Sequence, residues 1–460
     1  MLSSLRALRP LGMPRRANYP VKAAFRPYIS IRDAMLGIDP SEDDLDIFDK
    51  EYPQCKFVRG RYLSPWSRQT EKGLGAVFEY FMNREQKALK LESMKGKSLK
   101  DLMRPMKVDM NELQKRSSDV SSASKVGGTS VTWIGHATCY FEMEGVKFIT
   151  DPVFGERASM FSWVGPKRFF GPGVPASELP IDVVLLSHTH YDHMCGESIR
   201  AIGDKALWLV PLGVKEQLEE FGVTNCIEMN WWDSHMVTSQ SAANPSLANA
   251  TGIDVTFTPA KHWTSRNFFD RNQSLWGSFA VVSKSSRVFF SGDTAYCDIF
   301  KKIGEKFGPF DLSFIPIGAY KPRYFMKDHH CDPAESVQIH KDLRSKQSLA
   351  IHWGTFPLAD EDVVEPALEL ARVREGQGIS SNDFFTMRIG ETFVAGSEPQ
   401  GDFAGMNPDL SLEYNTFHQE KKERSEIKNE KLKKIKSNLN LKQKLADRKS
   451  NNKQDNSTEA

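Results

Sequence analysis

The chain has few cysteines, no long apolar run and, in its first 32 residues, no acid. Each lack excludes something. The six cysteines in 460 residues, Cys55, Cys139, Cys195, Cys226, Cys297 and Cys331, make no CxxC and no paired spacing. That excludes a disulfide scaffold and points to reduced thiols in an intracellular protein. No stretch approaches the ~20 consecutive apolar residues that span a bilayer, so any membrane contact is expected to be peripheral. The first acid is Asp33, whereas Arg6, Arg9, Arg15, Arg16, Lys22, Arg26 and Arg32 precede it. Such an acid-free, arginine-rich leader has the look of a mitochondrial presequence. Pro10, Pro14, Pro20 and Pro27 interrupt any long helix there, so a disordered basic arm is the other reading.

The net charge of +2 is an average over unlike zones. Residues 1–32 carry +7 and residues 419–460 carry +6, which leaves −11 for residues 33–418. An acidic centre argues against a broad phosphate-backbone footprint, so no nucleic-acid partner is expected.

Four zones follow from texture: a basic leader (1–32), a mixed extension (33–127), a sheet-rich domain (128–398) and a polar lysine-rich tail (399–460). Within the extension, GLGAVFEYFMNREQKALKLESMK reads as a helix carrying Val77, Phe78, Phe81 and Met82 on one side. From residue 128 short β runs follow one another: TSVTWIG, TCYFEME, VKFITD, IDVVLLSH, IDVTFTPA, GSFAVVSK, SRVFFSGD, DLSFIPIG and SLAIHWG. Helices are expected in PLGVKEQLEEFG and near 332–345 and 362–374. Strands mixed with helices over ~270 residues predict one large α/β domain with covering helices. SQSAANPSLANATG (239–252) reads as a loop insertion. In the tail, Leu432, Ile435 and Leu439 make a weak stripe, expected to be disordered or a solvated helix.

The chemistry concentrates in LLSHTHYDHMCG. His188 and His190 are two apart at the end of an apolar run, and strand alternation would put both on one side. Asp192 and His193 follow in the turn. Imidazole and carboxylate together suit Zn²⁺ or another first-row divalent ion, iron and manganese included. Four potential ligands in six residues crowd one ion but serve two adjacent ions well. Further ligands must then come from elsewhere. His262 follows TFTPA, Asp293 follows RVFFSG, and His352 lies near the end of SLAIH. His136 in WIGHAT reads as a buried hydrogen-bonding histidine, and Cys195 as structural.

HxHxDH followed by His, Asp and His at strand ends resembles the metallo-β-lactamase superfamily over residues 128–398. The resemblance implies an αββα sandwich, here with an N-terminal extension and a basic C-terminal tail. It implies that His188, His190 and His262 hold one ion and that Asp192, His193 and His352 hold another. Asp293 and a hydroxide would bridge them. That hydroxide would be the nucleophile, with no nucleophilic side chain, and Asp151 in ITDP would orient a ligand histidine.

A narrower resemblance lies in VTWIGHATCYFEMEGVKFITDPVF, VGPKRF, SELPIDVVLLSHTHYDH, AYKPRYFMKDHHCDPAESVQIH and AIHWGTF. Together these are similar to the N-acylphosphatidylethanolamine-hydrolysing phospholipase D family. That resemblance implies two Zn²⁺, a phospholipid substrate, a membrane surface as partner, a homodimer, and Tyr191 and His330 as contacts to the substrate phosphate. Phe161, Trp163, Phe169 and Phe170 beside Lys167 and Arg168 suit an interface where acyl tails meet phosphates. Trp263, Phe268 and Phe269 would line an acyl groove. A soluble hydrolase of a small lactone or phosphodiester is the competing expectation on the same metal site.

Overall fold

The computed structural model describes residues 52–66, 103–111, 113, 128–161, 163–238, 252–267, 269–409 and most of 411–419. The expected leader, the 73–95 helix, the insertion up to residue 251, Phe268 and the Leu432 stripe lie outside the described residues.

β1 (Lys56–Val58) and β2 (Arg61–Leu63) form a short ribbon. β3 (Ser130–Gly135), β4 (Thr138–Met143), β5 (Val146–Thr150), β6 (Val183–Leu185), β7 (Leu207–Pro211) and β8 (Cys226–Met229) join β16 (Thr392–Val394) in a seven-stranded sheet. Its order is β16-β3-β4-β5-β6-β7-β8. β9 (Ser234–Val237), β10 (Ile253–Thr258), β11 (Ser278–Val282), β12 (Arg287–Phe290), β13 (Leu312–Pro316), β14 (Gln347–Ile351) and β15 (Phe384–Phe385) form a second, ordered β15-β14-β13-β12-β11-β10-β9.

The two sheets share one plan. In the first, β16, β3, β4 and β5 pair antiparallel, and β5 through β8 pair parallel. In the second, β9 through β12 pair antiparallel and β12 through β15 parallel. Parallel neighbours need crossover connections. The helices Ile299–Phe307, Pro333–Asp342 and Glu365–Gly376 supply three of them. DPAE starts the second of these helices with a capping box between Asp332 and Glu335 and a proline in the first turn.

Alternation along a strand sends neighbouring residues to opposite faces. In β7, Leu207 and Leu209 enter one core while Trp208 and Val210 enter another. The first core lies between the sheets. Phe141 of β4 stacks on Phe148 of β5 (centroids 4.8 Å apart) and meets Phe314 of β13 at 5.6 Å. The second core lies under the helix Gly196–Ile202, which contributes Ile199 and Ile202. On the far side, Ser336 of the helix Pro333–Asp342 donates to the Pro316 carbonyl at 2.6 Å. The layers are therefore helix, sheet, sheet, helix. Strands covered on both faces read as continuous apolar runs, which is why VVLL is so uniformly hydrophobic.

Every β run named from the sequence forms a strand; β1, β2, β7, β8, β9, β15 and β16 were not legible there. Packing also crosses the expected zone boundaries. Tyr62 and Met103 from the extension join the inter-sheet core. Phe403 from the tail does the same and meets Trp353 at 5.8 Å. Among the described residues no helix is long and apolar enough to cross a membrane.

Candidate metal centre

The centre is built where strands of both sheets end. β6 stops at Leu185, so His188 and His190 stand on the irregular loop beyond it. The alternation expected from the sequence is therefore not what brings them together; the loop's own path is. Three residues at the centre hold left-handed backbone: His136 (φ 57), Asp151 (φ 33) and His352 (φ 61). Each such residue costs roughly 1–3 kcal/mol and survives only where its surroundings fix it. Here the His352 N–H donates to the His136 carbonyl at 3.0 Å, and the His136 N–H donates to Thr355 Oγ1 at 2.7 Å. The Asp151 N–H donates to the Leu185 carbonyl at 3.0 Å.

The residues singled out by spacing meet in space. His188 Nε2 and His262 Nε2 lie 2.9 Å and 3.2 Å from His190 Nδ1. A second group forms around Asp192. His193 Nε2 and His352 Nε2 each lie 3.5 Å from Asp192 Oδ2. Asp293 stands between the groups. Its Oδ2 is 3.2 Å from His193 Nε2, 3.8 Å from His262 Nε2 and 3.9 Å from His188 Nε2. Its Oδ1 is 3.0 Å from His352 Nε2. The His193 and His352 Nε2 atoms and Asp293 Oδ1 are buried yet make no hydrogen bond. Imidazole and carboxylate lone pairs converging at these separations fit divalent metal.

The outer nitrogens fix which lone pairs face inward. His262 Nδ1–H donates to the His329 carbonyl at 2.8 Å, so its Nε2 carries the lone pair. His193 Nδ1–H donates to Asp151 Oδ2 at 2.6 Å. The Ser187 hydroxyl donates to the same oxygen at 2.5 Å and accepts from His188 Nδ1–H at 2.9 Å. The Ser187 N–H donates to Asp151 Oδ1 at 2.7 Å. Asp151 thus orients His193 directly and His188 through Ser187. His136 Nε2 lies 3.0 Å from Asp192 Oδ2, so the histidine read as a buried hydrogen bonder props a carboxylate of the cluster.

Electrostatics divides the ring set. Burial holds His188 well below its ordinary value, His190 at about 4 and His262 at about 3. Burial also opposes charge on His193 and His352, but the surrounding carboxylates overcome it. Asp293, Asp192 and Asp151 raise His193 well above the ordinary range, and Asp293 with Asp192 lifts His352 to about 9. Burial alone would raise the Asp192 and Asp293 carboxyls; the imidazoles around them hold both well below the usual range.

His330 reaches the same place. Its Nδ1 is 3.8 Å from Asp293 Oδ2, and its ring lies 5.2 Å from His262 and 5.4 Å from His352. Tyr191 is half-buried, and its hydroxyl donates to the Arg266 carbonyl at 2.8 Å. Trp263 packs edge-on against His190 at 4.5 Å, whereas Phe269 is exposed. Arg157 and Lys167 form an antiparallel bridge, and Met160, Phe161, Trp163 and Val164 between them are exposed. The next residue joins this segment to the centre: the Arg168 guanidinium lies 5.4 Å from the Phe356 ring, which meets His136 at 5.3 Å. Ser187, Thr264 and Arg266 were missed from sequence: a serine beside a histidine has no distinctive pattern, and Thr264 and Arg266 bond Thr189 and Met194, which no spacing marks.

The profile of the beta-lactamase superfamily domain matches residues 147–353. The chain is 40% identical over 280 residues to N-acyl-phosphatidylethanolamine-hydrolyzing phospholipase D 1 of Caenorhabditis elegans, covering 58% of this chain and 76% of that protein. The chain belongs to the N-acyl-phosphatidylethanolamine-hydrolyzing phospholipase D family. It is also 35% identical over 253 residues to the mitochondrial N-acyl-phosphatidylethanolamine-hydrolyzing phospholipase D of Saccharomyces cerevisiae, covering 54% of this chain and 52% of that one. An uncharacterized protein of Mycobacterium tuberculosis is 38% identical over 259 residues, 55% of this chain and 65% of its own length. The chain thus spans about half the length of the yeast relative.

Proposed function

We propose that this chain hydrolyses N-acylphosphatidylethanolamine to N-acylethanolamine and phosphatidic acid at a two-zinc centre. The convergence of His188, His190 and His262, and of Asp192, His193 and His352, on Asp293 carries the reading. It stands in a chain 40% identical to a nematode enzyme of that name. The first three histidines would hold one ion, the second three residues the other, and Asp293 would lie between. Divalent ions there supply positive charge for phosphate oxygens and acidify water for attack on phosphorus. The chain's residues do the rest. Asp151 and the His329 carbonyl hold His193 and His262 with their lone pairs inward. His330 stands beside Asp293, where an N–H can meet a phosphate oxygen. Trp263 packs edge-on against His190. Tyr191 has a single O–H, and it is engaged at the Arg266 carbonyl.

The exposed apolar residues between Arg157 and Lys167 support a membrane-bound substrate. Four exposed apolar side chains, with Arg157 beside them and Lys167 ion-paired to Glu156, suit a lipid surface. Vesicles containing N-acylphosphatidylethanolamine test the activity: zinc-loaded protein should release N-acylethanolamine, and His190→Ala should abolish release. Turnover of a soluble lactone without any N-acylethanolamine would overturn the assignment. Flotation tests the surface: Phe161→Ser with Trp163→Ser should leave the protein with the buffer rather than the vesicles. A reporter fused to residues 1–32 tests mitochondrial delivery; diffuse signal would remove it.

A further inference from the structure

Two irregular loops carry four of the histidines at the centre, and they belong to different sheets. One follows β6 and bears His188 to His193; the other follows β10 and bears His262. An irregular loop has no helix or ladder to hold its carbonyls, so something else must bond them.

Arg266 does this. Its Nη1 donates to the Thr189 carbonyl at 2.8 Å and to the Met194 carbonyl at 2.9 Å. Those two carbonyls bracket His190, Tyr191, Asp192 and His193. The same guanidinium lies 4.1 Å from the centre of the Tyr191 ring. The Tyr191 hydroxyl in turn donates to the Arg266 carbonyl at 2.8 Å. Each loop thus grips the other with a side chain on a backbone. We propose that Arg266 and Tyr191 form a clasp between the sheets, and that Arg266 is a positioning residue for the metal centre. The proposal rests on the reading that these loops hold divalent ions.

The chemistry favours arginine. A guanidinium is planar, so it stacks on a ring while its N–H groups reach sideways to carbonyls; an ammonium offers no plane. A second tie links the same loops: the Thr189 N–H donates to Thr264 Oγ1 at 3.2 Å. That tie reaches only the near end of the ligand loop. Arg266 alone of the two spans it to Met194. The clasp also gives Tyr191 a role that needs no contact with substrate, since its one proton is committed within the protein.

The test uses the full chain and Zn²⁺ alone as probe, titrated in competition with a chromophoric chelator. Arg266→Gln is expected to weaken zinc binding about 10- to 100-fold, the range for outer partners of metal ligands. Tyr191→Phe should weaken it less, Arg266→Lys should recover only part of the loss, and the Tyr191→Phe/Arg266→Gln pair should lose more than Arg266→Gln alone, because the Tyr191 hydroxyl bonds the backbone carbonyl of residue 266, which glutamine keeps. With zinc saturating, vesicle kinetics should show lower kcat with KM little changed. Wild-type zinc affinity in Arg266→Gln would overturn the clasp. So would a Tyr191→Phe variant with raised KM and unaltered zinc affinity, which would make Tyr191 a phosphate contact. If Arg266→Gln does not fold, Tyr191→Phe and Arg266→Lys decide by the same readout. Wild-type protein that binds zinc but releases no N-acylethanolamine would sink the proposed function and leave the clasp to stand or fall on zinc affinity.

Discussion

Asp151→Asn isolates how much the centre owes to a carboxylate that touches no substrate. Asp151 is fully buried and accepts three hydrogen bonds: from the Ser187 N–H at 2.7 Å, the Ser187 hydroxyl at 2.5 Å and His193 Nδ1–H at 2.6 Å. Asparagine offers one acceptor oxygen and one NH₂ group. If its oxygen faces His193, the NH₂ confronts the Ser187 N–H. If it is flipped, the NH₂ confronts His193 Nδ1–H, and the ring can escape only by moving its proton to Nε2, the atom beside Asp293. Either way one buried donor is left unsatisfied, at about 1–3 kcal/mol. At about 1.4 kcal/mol per decade this is roughly 5- to 150-fold in zinc affinity. The metal-free protein should lose less. Burial pushes the Asp151 carboxyl up, so removing its charge also relieves a desolvation cost. Chelator competition reads the first quantity and thermal melting of the metal-free protein the second. Zinc affinity within about twofold of wild type would refute the reasoning, as would a loss confined to melting.

Three further outcomes are expected. Gly292 has φ +56, and a Cβ there would meet Ser187 Cβ at 2.5 Å, so Gly292→Ala should cost about 1–3 kcal/mol in thermal melting and lower zinc content. Asp402 is buried and accepts from Arg374 at 2.7 Å and from the Thr386 hydroxyl at 2.6 Å, so Asp402→Ala should cost about 3–5 kcal/mol in urea unfolding. His340 is buried against Ser348 Oγ at 2.8 Å, and burial holds it at about 4. Above the unfolded value near 6.5 both states are neutral and His340 adds no pH dependence. Below it the unfolded chain binds a proton that the native ring refuses, so stability falls by roughly 3 kcal/mol between about pH 6.5 and 4. His340→Gln should flatten that slope relative to wild type in urea midpoints measured against pH; an unchanged slope would exclude His340 as its source.

The His/Asp cluster was legible in the sequence because HxHxDH is dense and because His262, Asp293 and His352 each follow or end an apolar run. The reason given for His188 and His190 was wrong in part: the apolar run continues through Leu186, but the ladder ends at Leu185. Hydrophobicity there reports burial in the second core, and burial does not mark where hydrogen bonding between strands stops. β8 and β9 were illegible for the opposite reason: both are edge strands with half-exposed residues, so neither run nor alternation stands out. Arg266 was illegible because its bonds go to carbonyls more than 70 residues away, and carbonyls have no sequence identity.

The division of charge within the centre gives its two halves different tasks. His188, His190 and His262 are held neutral near physiological pH, with lone pairs available. His193 and His352 instead favour protons, because Asp192 and Asp293 lie against them. A cation entering beside Asp192 must displace those protons, whereas one entering among the three neutral rings need not. Affinity at the Asp192 side should therefore climb with pH more steeply than at the His262 side. The carboxylates make that side both the harder to load at low pH and, once deprotonated, the richer in negative charge. Asp293 lies against both sides, so a cation bound on one side would lower the proton affinity of His193 and His352 through it. Loading of one half would then prepare the other, and because each half takes residues from both sheets, a cation in either would tie the sheets together.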